Sequence, residues 1–178
     1  MPFEFVFLDW LYQFRNPVMN TISIFFDYAG AHGEIWIAFT LLLLLFRRTR
    51  KAGFAMAVAL VLYMATGHFF LKPLFARPRP CDVNTAITIL VKRPHGHSFP
   101  SGHTASAFAA AFALWLQNWK LGVPALVLAA FIAFTRLYLY VHFPTDVLGG
   151  LVLGLALGFF ASWLVDSLAN KSKKKQSV

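Results

Sequence analysis

The sequence predicts an all-α fold, a polytopic membrane helix bundle with five or six transmembrane helices. Of its 178 residues, 58% are hydrophobic and only 13% are charged, and the mean hydropathy is +0.62. This composition excludes an ordinary soluble domain. Uncharged runs of spanning length, with short basic clusters between them, indicate the same fold class. No repeat of fixed period is evident, so residues 1–178 are interpreted as a single membrane-embedded domain.

The first third of the chain predicts an interfacial helix followed by two short apolar segments. Residues 1–16 carry Glu4 and Asp9 and lack a basic start, so they are unlike a cleavable signal peptide. Their aromatic and apolar side chains suit the headgroup boundary of a bilayer. Residues 17–28 and 35–46 are each too short to span alone, and they form either one interrupted span or two tilted ones.

Four later segments are predicted to cross the membrane. They are residues 52–71, 104–119, 121–141 and 147–165. The first and last are uncharged runs close to the ~20 residues that a spanning helix needs. The third contains a single charge, Arg136, near its end. Gly150, Gly154 and Gly158 recur every four residues along the last segment, which predicts close packing of this helix against a neighbour.

Basic clusters predict the orientation of the bundle. The net charge is +9, and residues 47–51, Lys120 and the basic tail 171–178 fall on one side if the four later helices alternate. By the positive-inside rule, this side is cytoplasmic. Clusters placed between apolar segments indicate membrane topology, not a nucleic-acid partner. The same alternation places loops 72–102 and 142–146 together on the outer face.

The longer outer loop carries five cations, which is contrary to the positive-inside rule. They are Lys72, Arg77, Arg79, Lys92 and Arg93. An anionic ligand at this face would explain them. The same loop holds Cys81, the only cysteine, so the sequence excludes an intrachain disulfide and a cysteine-based zinc site.

Polar residues cluster in three segments where predicted helices end. These segments are residues 72–80, 100–103 and 135–146. Ionisable groups near a bilayer are costly, so a collection of them usually reports a function. Lys72, Arg79 and Arg136 are donors of the kind that hold a phosphoryl group. Taken singly, Lys72 or Arg136 is better explained as a long side chain reaching from a helix end toward water.

The second and third segments add reactive groups at two helix starts. Ser101 precedes an apolar helix, so its hydroxyl and the nearby backbone N–H groups suit an anion, with a plain helix cap as the competing role. His142 supplies a nucleophile or base, and Asp146 a carboxylate able to fix its tautomer. Pro144 disfavours a helix through Phe143, which places His142 in a loop and Asp146 in the first turn of the next helix. Stabilisation of that helix start is the competing role for the carboxylate.

These segments resemble the three-part signature of the type 2 phosphatidic acid phosphatase superfamily, K-x6-RP, PSGH and SR-x5-H-x3-D. Residues 72–80 and 100–103 match the first two parts in full. Residues 135–146 match the third part except at Thr135, which stands in place of the usual serine. Threonine keeps the hydroxyl, so we expect the activity to be retained. The resemblance implies a helical core of the kind shared by these phosphatases and the vanadium haloperoxidases.

The resemblance also implies a division of roles. His142 attacks phosphorus and forms a phosphohistidine, Asp146 orients its imidazole, and His103 protonates the leaving oxygen. The phosphoryl oxygens are bound by the remaining signature residues, which are Lys72, Arg79, Ser101, Gly102 and Arg136. Members of this family work without a metal, so no metal and no other cofactor is expected.

The implied function is that of an integral-membrane lipid phosphatase. A small chain with an outward site resembles bacterial enzymes of the inner membrane, and undecaprenyl diphosphate is the expected substrate. Phosphatidylglycerophosphate and phosphatidate are the alternatives. The expected partners are the membrane lipid phosphate and the bilayer itself.

Two other classes of protein share some of these features. A lipid-phosphate transporter would account for the cations of the outer loop, but it gives no reason for the spacing of His142 and Asp146. A vanadium haloperoxidase shares the phosphate-binding motifs, but these enzymes are soluble and the apolar spans argue against that class. Four histidines outside the signature are assigned no catalytic role; for the last two, contact with a second phosphate or a headgroup is the alternative to an ordinary loop histidine. They are His32, His68, His95 and His97.

Overall fold

The computed structural model describes residues 2–30 and 33–176, and its regular structure is helical throughout these residues. Nine α-helices are formed by the described residues: α1 Pro2–Tyr12, α2 Pro17–Ala29, α3 Glu34–Leu45, α4 Arg50–Tyr63, α5 Lys72–Phe75, α6 Pro80–Val83, α7 Gly102–Gln117, α8 Trp119–Tyr138 and α9 Pro144–Gln176. A π-helical segment, Met64–Leu71, joins α4 to α5 without a break. The all-α prediction is therefore confirmed for the described residues.

The bundle is organised around α7, which packs against α4, α8 and α9. Its inward faces are lined by fully buried alanines, which let neighbouring helices approach closely. They are Ala105, Ala107, Ala109, Ala110, Ala111 and Ala113. A Cβ atom added at Gly154 of α9 would lie 2.7 Å from the carbonyl oxygen of Ala105. Cβ atoms added at Gly150 and Gly158 would lie at the same distance from the carbonyl oxygens of Ser101, just before α7, and Ala109. The glycine spacing therefore marks the contact of α9 with α7, as predicted.

Within the described part of the chain, three stretches are long and apolar enough to cross a membrane, which agrees with the predicted spans at 52–71, 121–141 and 147–165. They are Arg50–Val83, Trp119–Tyr138 and Pro144–Lys171. Helices α2 and α3 reach the length and hydropathy of a membrane span only as a pair, and the pair is bent by 61°. Helix α7 has 16 residues, about 24 Å of rise, because the chain turns at Asn118, whose side chain caps α8. Five or six spans are therefore not confirmed, since helix length supports three, or four with the bent pair.

The two ends of the chain extend this bundle. Residues 2–12 of the predicted interfacial segment form α1, which rests against α8. Leu8 of α1 is fully buried against Tyr140 and Phe143, whereas Phe3 and Trp10 are exposed. At the other end, α9 continues to Gln176, so most of the predicted basic tail prolongs the last helix. Residues 177 and 178 of that tail lie outside the described residues.

The two loops predicted to share a face meet at one end of the bundle. The backbone N–H of Ser101, just before α7, donates to the carbonyl oxygen of Asp146 in the first turn of α9, at 3.0 Å. The backbone N–H of Ser98 donates to the carbonyl oxygen of Arg77 at 2.8 Å. These bonds tie the starts of α7 and α9 to the loop that follows α5, and this end of the bundle gathers the polar segments.

Candidate active site

His142 and Asp146 form a buried pair at the start of α9. The helix begins at Pro144, so His142 lies in the preceding loop and Asp146 in the first turn, as the proline predicts. His142 Nδ1 is 3.6 Å from Asp146 Oδ2, and the two side chains are 3% and 0% exposed. The same carboxylate oxygen accepts a hydrogen bond from the backbone N–H of Phe143 at 2.8 Å. Asp146 thus both faces the imidazole and stabilises the start of α9.

The opposite edge of the His142 ring faces Arg79. Arg79 Nη1 lies 3.2 Å from His142 Nε2, and Arg79 is 4% exposed. A guanidinium only donates, so Nε2 is the accepting nitrogen and Nδ1 carries the proton toward Asp146. Burial lowers the pKa of His142 to about 3, against the raising effect of Asp146, so the ring is neutral at physiological pH. A neutral ring offers its Nε2 lone pair to an electrophile.

Lys72 and Arg79 are held by the same stretch of backbone. Lys72 Nζ donates to the carbonyl oxygen of His97 at 2.8 Å, and Arg79 Nε donates to that of Gly96 at 3.1 Å. Arg79 also donates to the carbonyl oxygens of His95 and His97, each at 3.4 Å. His95 and His97 therefore enter the site through their backbone, a contribution that residue type alone does not reveal.

The start of α7 brings Ser101, Gly102 and His103 to the same end. Ser101 is fully buried and its hydroxyl accepts from Thr104 Oγ1 at 2.9 Å, with no capping bond to the helix backbone. The side chain therefore does not act as the plain cap that was its competing role. A Cβ atom at Gly102 would lie 2.7 Å from the hydroxyl oxygen of Tyr63 and 3.7 Å from Lys72 Cε, so glycine lets both neighbours approach.

His103 lies in the first turn of α7, outside the three candidate spans, and faces the end of α2. Its Nε2 is 3.4 Å from the carbonyl oxygen of Asp27. Burial lowers the pKa of His103 well below its usual range, and the nearby charge of Arg136 acts in the same direction. A doubly charged anion between the cations would oppose both effects and favour the protonated ring.

Arg136 is the most enclosed cation of the site, at 1% exposed. Its Nη1 donates to Asp27 Oδ1 at 2.6 Å. Its Nε and Nη2 both donate to Thr135 Oγ1, at 3.2 and 2.8 Å, and that hydroxyl donates to the carbonyl oxygen of Ile132 at 2.7 Å. The threonine that departs from the signature therefore fixes the arginine beside it with its hydroxyl.

Four residues near the site were not predicted. Ser98 is fully buried and donates to Asp146 Oδ2, with its hydroxyl 3.4 Å from His142 Nδ1. Asp27 pairs with Arg136, while Arg77 and Glu4 contact each other at 2.7 Å. The sequence offered one signal for Asp27, a lone carboxylate in an apolar segment. For Ser98 and Arg77, the only signal was their position in the polar outer loop.

Two histidines remain, one of them exposed and the other outside the described residues. His68 is exposed on the π-helical segment, and His32 lies outside the described residues. Among residues 3–30 and 33–171, no group of three or more His, Cys, Asp or Glu side chains is arranged to hold a metal ion. Taken together, the described site offers a neutral imidazole within reach of buried cationic donors, an arrangement suited to attack on a phosphoryl group.

Comparison with known proteins matches the chain to one family. The model of the PAP2 superfamily matches residues 48–169. The chain is 31% identical to an undecaprenyl-diphosphatase of Sulfolobus acidocaldarius, over 80% of this chain and 69% of the relative. It is 30% identical to a lipid A 4'-phosphatase of Bacteroides thetaiotaomicron, over 89% of this chain and 80% of the relative.

Solved structures of the family share the fold. The chain superposes on the crystal structure of LpxE from Aquifex aeolicus with a TM-score of 0.69 and 27% identity, covering 86% of this chain and 91% of that one. A PAP2 type phosphatidylglycerolphosphate phosphatase from Bacillus subtilis gives a TM-score of 0.70 at 24% identity, covering 94% and 85%. With its apolar helices and its matched domain, the chain belongs to the PAP2 superfamily and is a phosphoric ester hydrolase of multi-pass membrane type.

Proposed function

We propose that this phosphatase hydrolyses a lipid phosphate or diphosphate through a phosphohistidine at His142. The Nε2 lone pair attacks phosphorus, the P–O bond to the leaving group breaks, and His103 supplies the proton to the leaving oxygen. Asp146 Oδ2, 3.6 Å from Nδ1, stabilises the cationic ring that forms. Water then gives a proton to His103 as its oxygen attacks phosphorus, the P–N bond breaks, and phosphate is released, which restores the neutral imidazole of His142.

The observation that carries this proposal is the two-sided contact of the His142 ring. Asp146 at 3.6 Å from Nδ1 and Arg79 at 3.2 Å from Nε2 select the tautomer whose Nε2 lone pair faces a cationic donor. A phosphoryl group bound by Arg79 would therefore approach the nucleophilic nitrogen. Lys72, Arg136 and the turn at Ser101–Gly102 complete the proposed phosphate site at the same end of the bundle.

Undecaprenyl diphosphate is the proposed substrate. The support is the similarity to the undecaprenyl-diphosphatase, which is 31% identical to this chain in an alignment that covers most of both proteins. The lipid A 4'-phosphatase at 30% identity keeps another lipid phosphate as the second candidate. Phosphate release from undecaprenyl diphosphate, lipid A, phosphatidylglycerophosphate and phosphatidate separates them. The highest kcat/KM on undecaprenyl diphosphate supports the proposal, and a preference for any other lipid overturns the substrate assignment.

The proposed location is the inner membrane of a bacterial cell, with the site on the extracytoplasmic face. By the positive-inside rule, the exposed cations of the 47–51 cluster indicate that the α3–α4 turn is cytoplasmic. The site lies at a different turn, where α8 ends and α9 begins. A membrane-impermeant thiol reagent on a cysteine introduced at exposed Lys92, in a Cys81→Ser background, tests the face. Labelling in intact cells supports it, whereas labelling only after lysis contradicts it.

The chemical proposal is tested by trapping the intermediate. Purified wild-type protein given 32P-labelled substrate and quenched in alkali should retain label on histidine, because phosphohistidine is stable in alkali and labile in acid. His142→Ala should show no label and no phosphate release. The matched control is His68→Ala, which removes an exposed histidine away from the site and should behave as wild type. Phosphate release by His142→Ala at the wild-type rate would contradict the mechanism.

A further inference from the structure

Helix α1 contributes a carboxylate to the end of the bundle that holds His142. Glu4 is nearly buried, although it belongs to a helix whose other side exposes Phe3 and Val6. Its Oε2 accepts from Arg77 Nη2 at 2.7 Å, and its Oε1 accepts from Thr145 Oγ1 at 2.6 Å. Burying a carboxylate is costly unless it is paired, and here both oxygens have partners. Glu4 also lies outside residues 48–169, the part of the chain matched by the family.

Arg77 connects this carboxylate to Asp146. Its Nη1 donates to Asp146 Oδ1 at 2.6 Å and to Thr145 Oγ1 at 2.6 Å, while Nη2 holds Glu4. The guanidinium carbon lies 4.2 Å from the centre of the Phe143 ring. Nε has no partner among the described residues, so the two terminal nitrogens and the ring contact set the orientation of the group.

The contacts of Asp146 are divided between its two oxygens. Oδ2 faces His142 Nδ1 and accepts from Ser98 and Phe143, whereas Oδ1 takes the bond from Arg77. Holding Oδ1 therefore fixes the plane of the carboxylate and keeps Oδ2 directed at the imidazole. Arg77 is distinct from Arg79 in this respect, because its polar contacts are with carboxylates and a hydroxyl and not with the accepting nitrogen of His142.

Glu4 also balances the charge of Arg77. A lone arginine on Asp146 would weaken the attraction between that carboxylate and a cationic imidazole. With Glu4 on the other side, the three groups carry a net negative charge. The backbone N–H of Thr145 also donates to Glu4 Oε1, at 3.3 Å, so the same carboxylate holds the first turn of α9, in which Asp146 lies.

We propose that Glu4 and Arg77 are positioning residues for the phosphohistidine step, so that α1 is part of the catalytic apparatus as well as an interfacial helix. This inference rests on the proposed function of His142. Glu4 and Arg77 act through Asp146, and their loss should lower kcat with little change in KM. The cations proposed to bind phosphate remain in place in either variant.

The test compares two carboxylates of the same helix. Asp9 Oδ1 accepts from the hydroxyl of Tyr140 at 2.7 Å, so Asp9→Asn weakens an attachment of α1 without touching the Glu4–Arg77–Asp146 contacts. With undecaprenyl diphosphate and dioctanoyl phosphatidate in detergent micelles, Glu4→Gln should lower kcat about tenfold with KM within about twofold. Asp9→Asn should stay within about twofold of wild type on both parameters. Equal losses in the two variants would overturn the inference.

Two further measurements separate positioning from mere stability. In an Asp146→Asn background, Glu4→Gln should cause no further loss, because the residue through which it acts is already altered, whereas an additive loss overturns the proposal. Arg77→Lys keeps the charge but cannot bridge two carboxylates, so it should also lower kcat about tenfold. A rise in KM alone would instead mean that Arg77 binds the substrate.

The outcomes also distinguish this inference from the function on which it rests. If His142→Ala releases phosphate at the wild-type rate, the proposed function fails and this inference fails with it. If His142→Ala is inactive while Glu4→Gln, Arg77→Lys and Asp9→Asn all match wild type, only the positioning role of Glu4 and Arg77 is wrong.

Discussion

The carboxylate of Asp27 lies 2.6 Å from Nη1 of Arg136, in an ion pair between two residues that are 109 positions apart in the chain. Asp27 is 19% exposed and Arg136 is 1% exposed. Arg136 belongs to the set that the family resemblance assigns to phosphate. The ion pair therefore gives a buried cation a partner when no anion from the substrate is present.

The first prediction concerns the removal of this partner. Asp27→Ala leaves a buried guanidinium uncompensated, so the unfolding midpoint should fall by several degrees. Inorganic phosphate should then raise that midpoint by more in the variant than in wild type, because the anion replaces the lost carboxylate. Thermal unfolding in detergent, with and without phosphate, measures both effects. If phosphate raises the unfolding midpoint equally in the two proteins, Arg136 is not part of the phosphate site.

The second prediction concerns the hydroxyl at Thr135, which receives two bonds from Arg136. Thr135→Val keeps the shape but removes the acceptor, so kcat/KM should fall about tenfold or more. Thr135→Ser keeps the hydroxyl and should remain within about threefold of wild type. Steady-state phosphate release measures both variants. Similar activity in Thr135→Val and wild type would show that the guanidinium is held well enough by Asp27 alone.

The third prediction concerns the contact between α7 and α9. Gly154→Ala places a methyl group 2.7 Å from the carbonyl oxygen of Ala105, a backbone atom that cannot move alone. The substitution should cost about 1–3 kcal/mol and lower the unfolding midpoint by several degrees. Ala156→Val, on an exposed face of the same helix, is the control for added bulk and should have a much smaller effect. An unchanged midpoint in Gly154→Ala would contradict the observed packing.

The fourth prediction concerns acid stability. The pKa of His142 is lowered to about 3, chiefly by burial, whereas an unfolded histidine titrates near 6.5. Above pH 6.5 neither state binds the proton, and below it only the unfolded state does. The free energy of unfolding should therefore fall with pH from 6.5 toward 3, by roughly 1–2 kcal/mol between pH 6.5 and 5 from this residue.

His142→Asn removes that titration, so its unfolding midpoint should depend less on pH over the same interval. His68→Asn, which alters an exposed histidine, should keep the pH dependence of wild type. Parallel pH profiles for His142→Asn and wild type would show that the ring is not held neutral in the folded protein.

The sequence alone predicted most of the helices of this protein and one of the contacts between them. Apolar runs predicted helices that are present in the described residues, and three of them have the length and hydropathy of spans. Pro144 predicted the helix start that separates His142 from Asp146, and the spacing of Gly150, Gly154 and Gly158 predicted a close helix contact. These features follow from local sequence because backbone conformation and helix periodicity depend on neighbouring residues.

The tertiary structure decided which distant groups meet. Asp27 reaches Arg136, Glu4 reaches Arg77, and Ser98 reaches Asp146, over separations of 109, 73 and 48 residues. No periodicity encodes such contacts, because they depend on how whole helices pack and on which buried charge needs a partner. The sequence therefore identified the residues suited to phosphate chemistry, and the packing of α1, α2, α8, α9 and the loop 72–102 selected the partners that hold them.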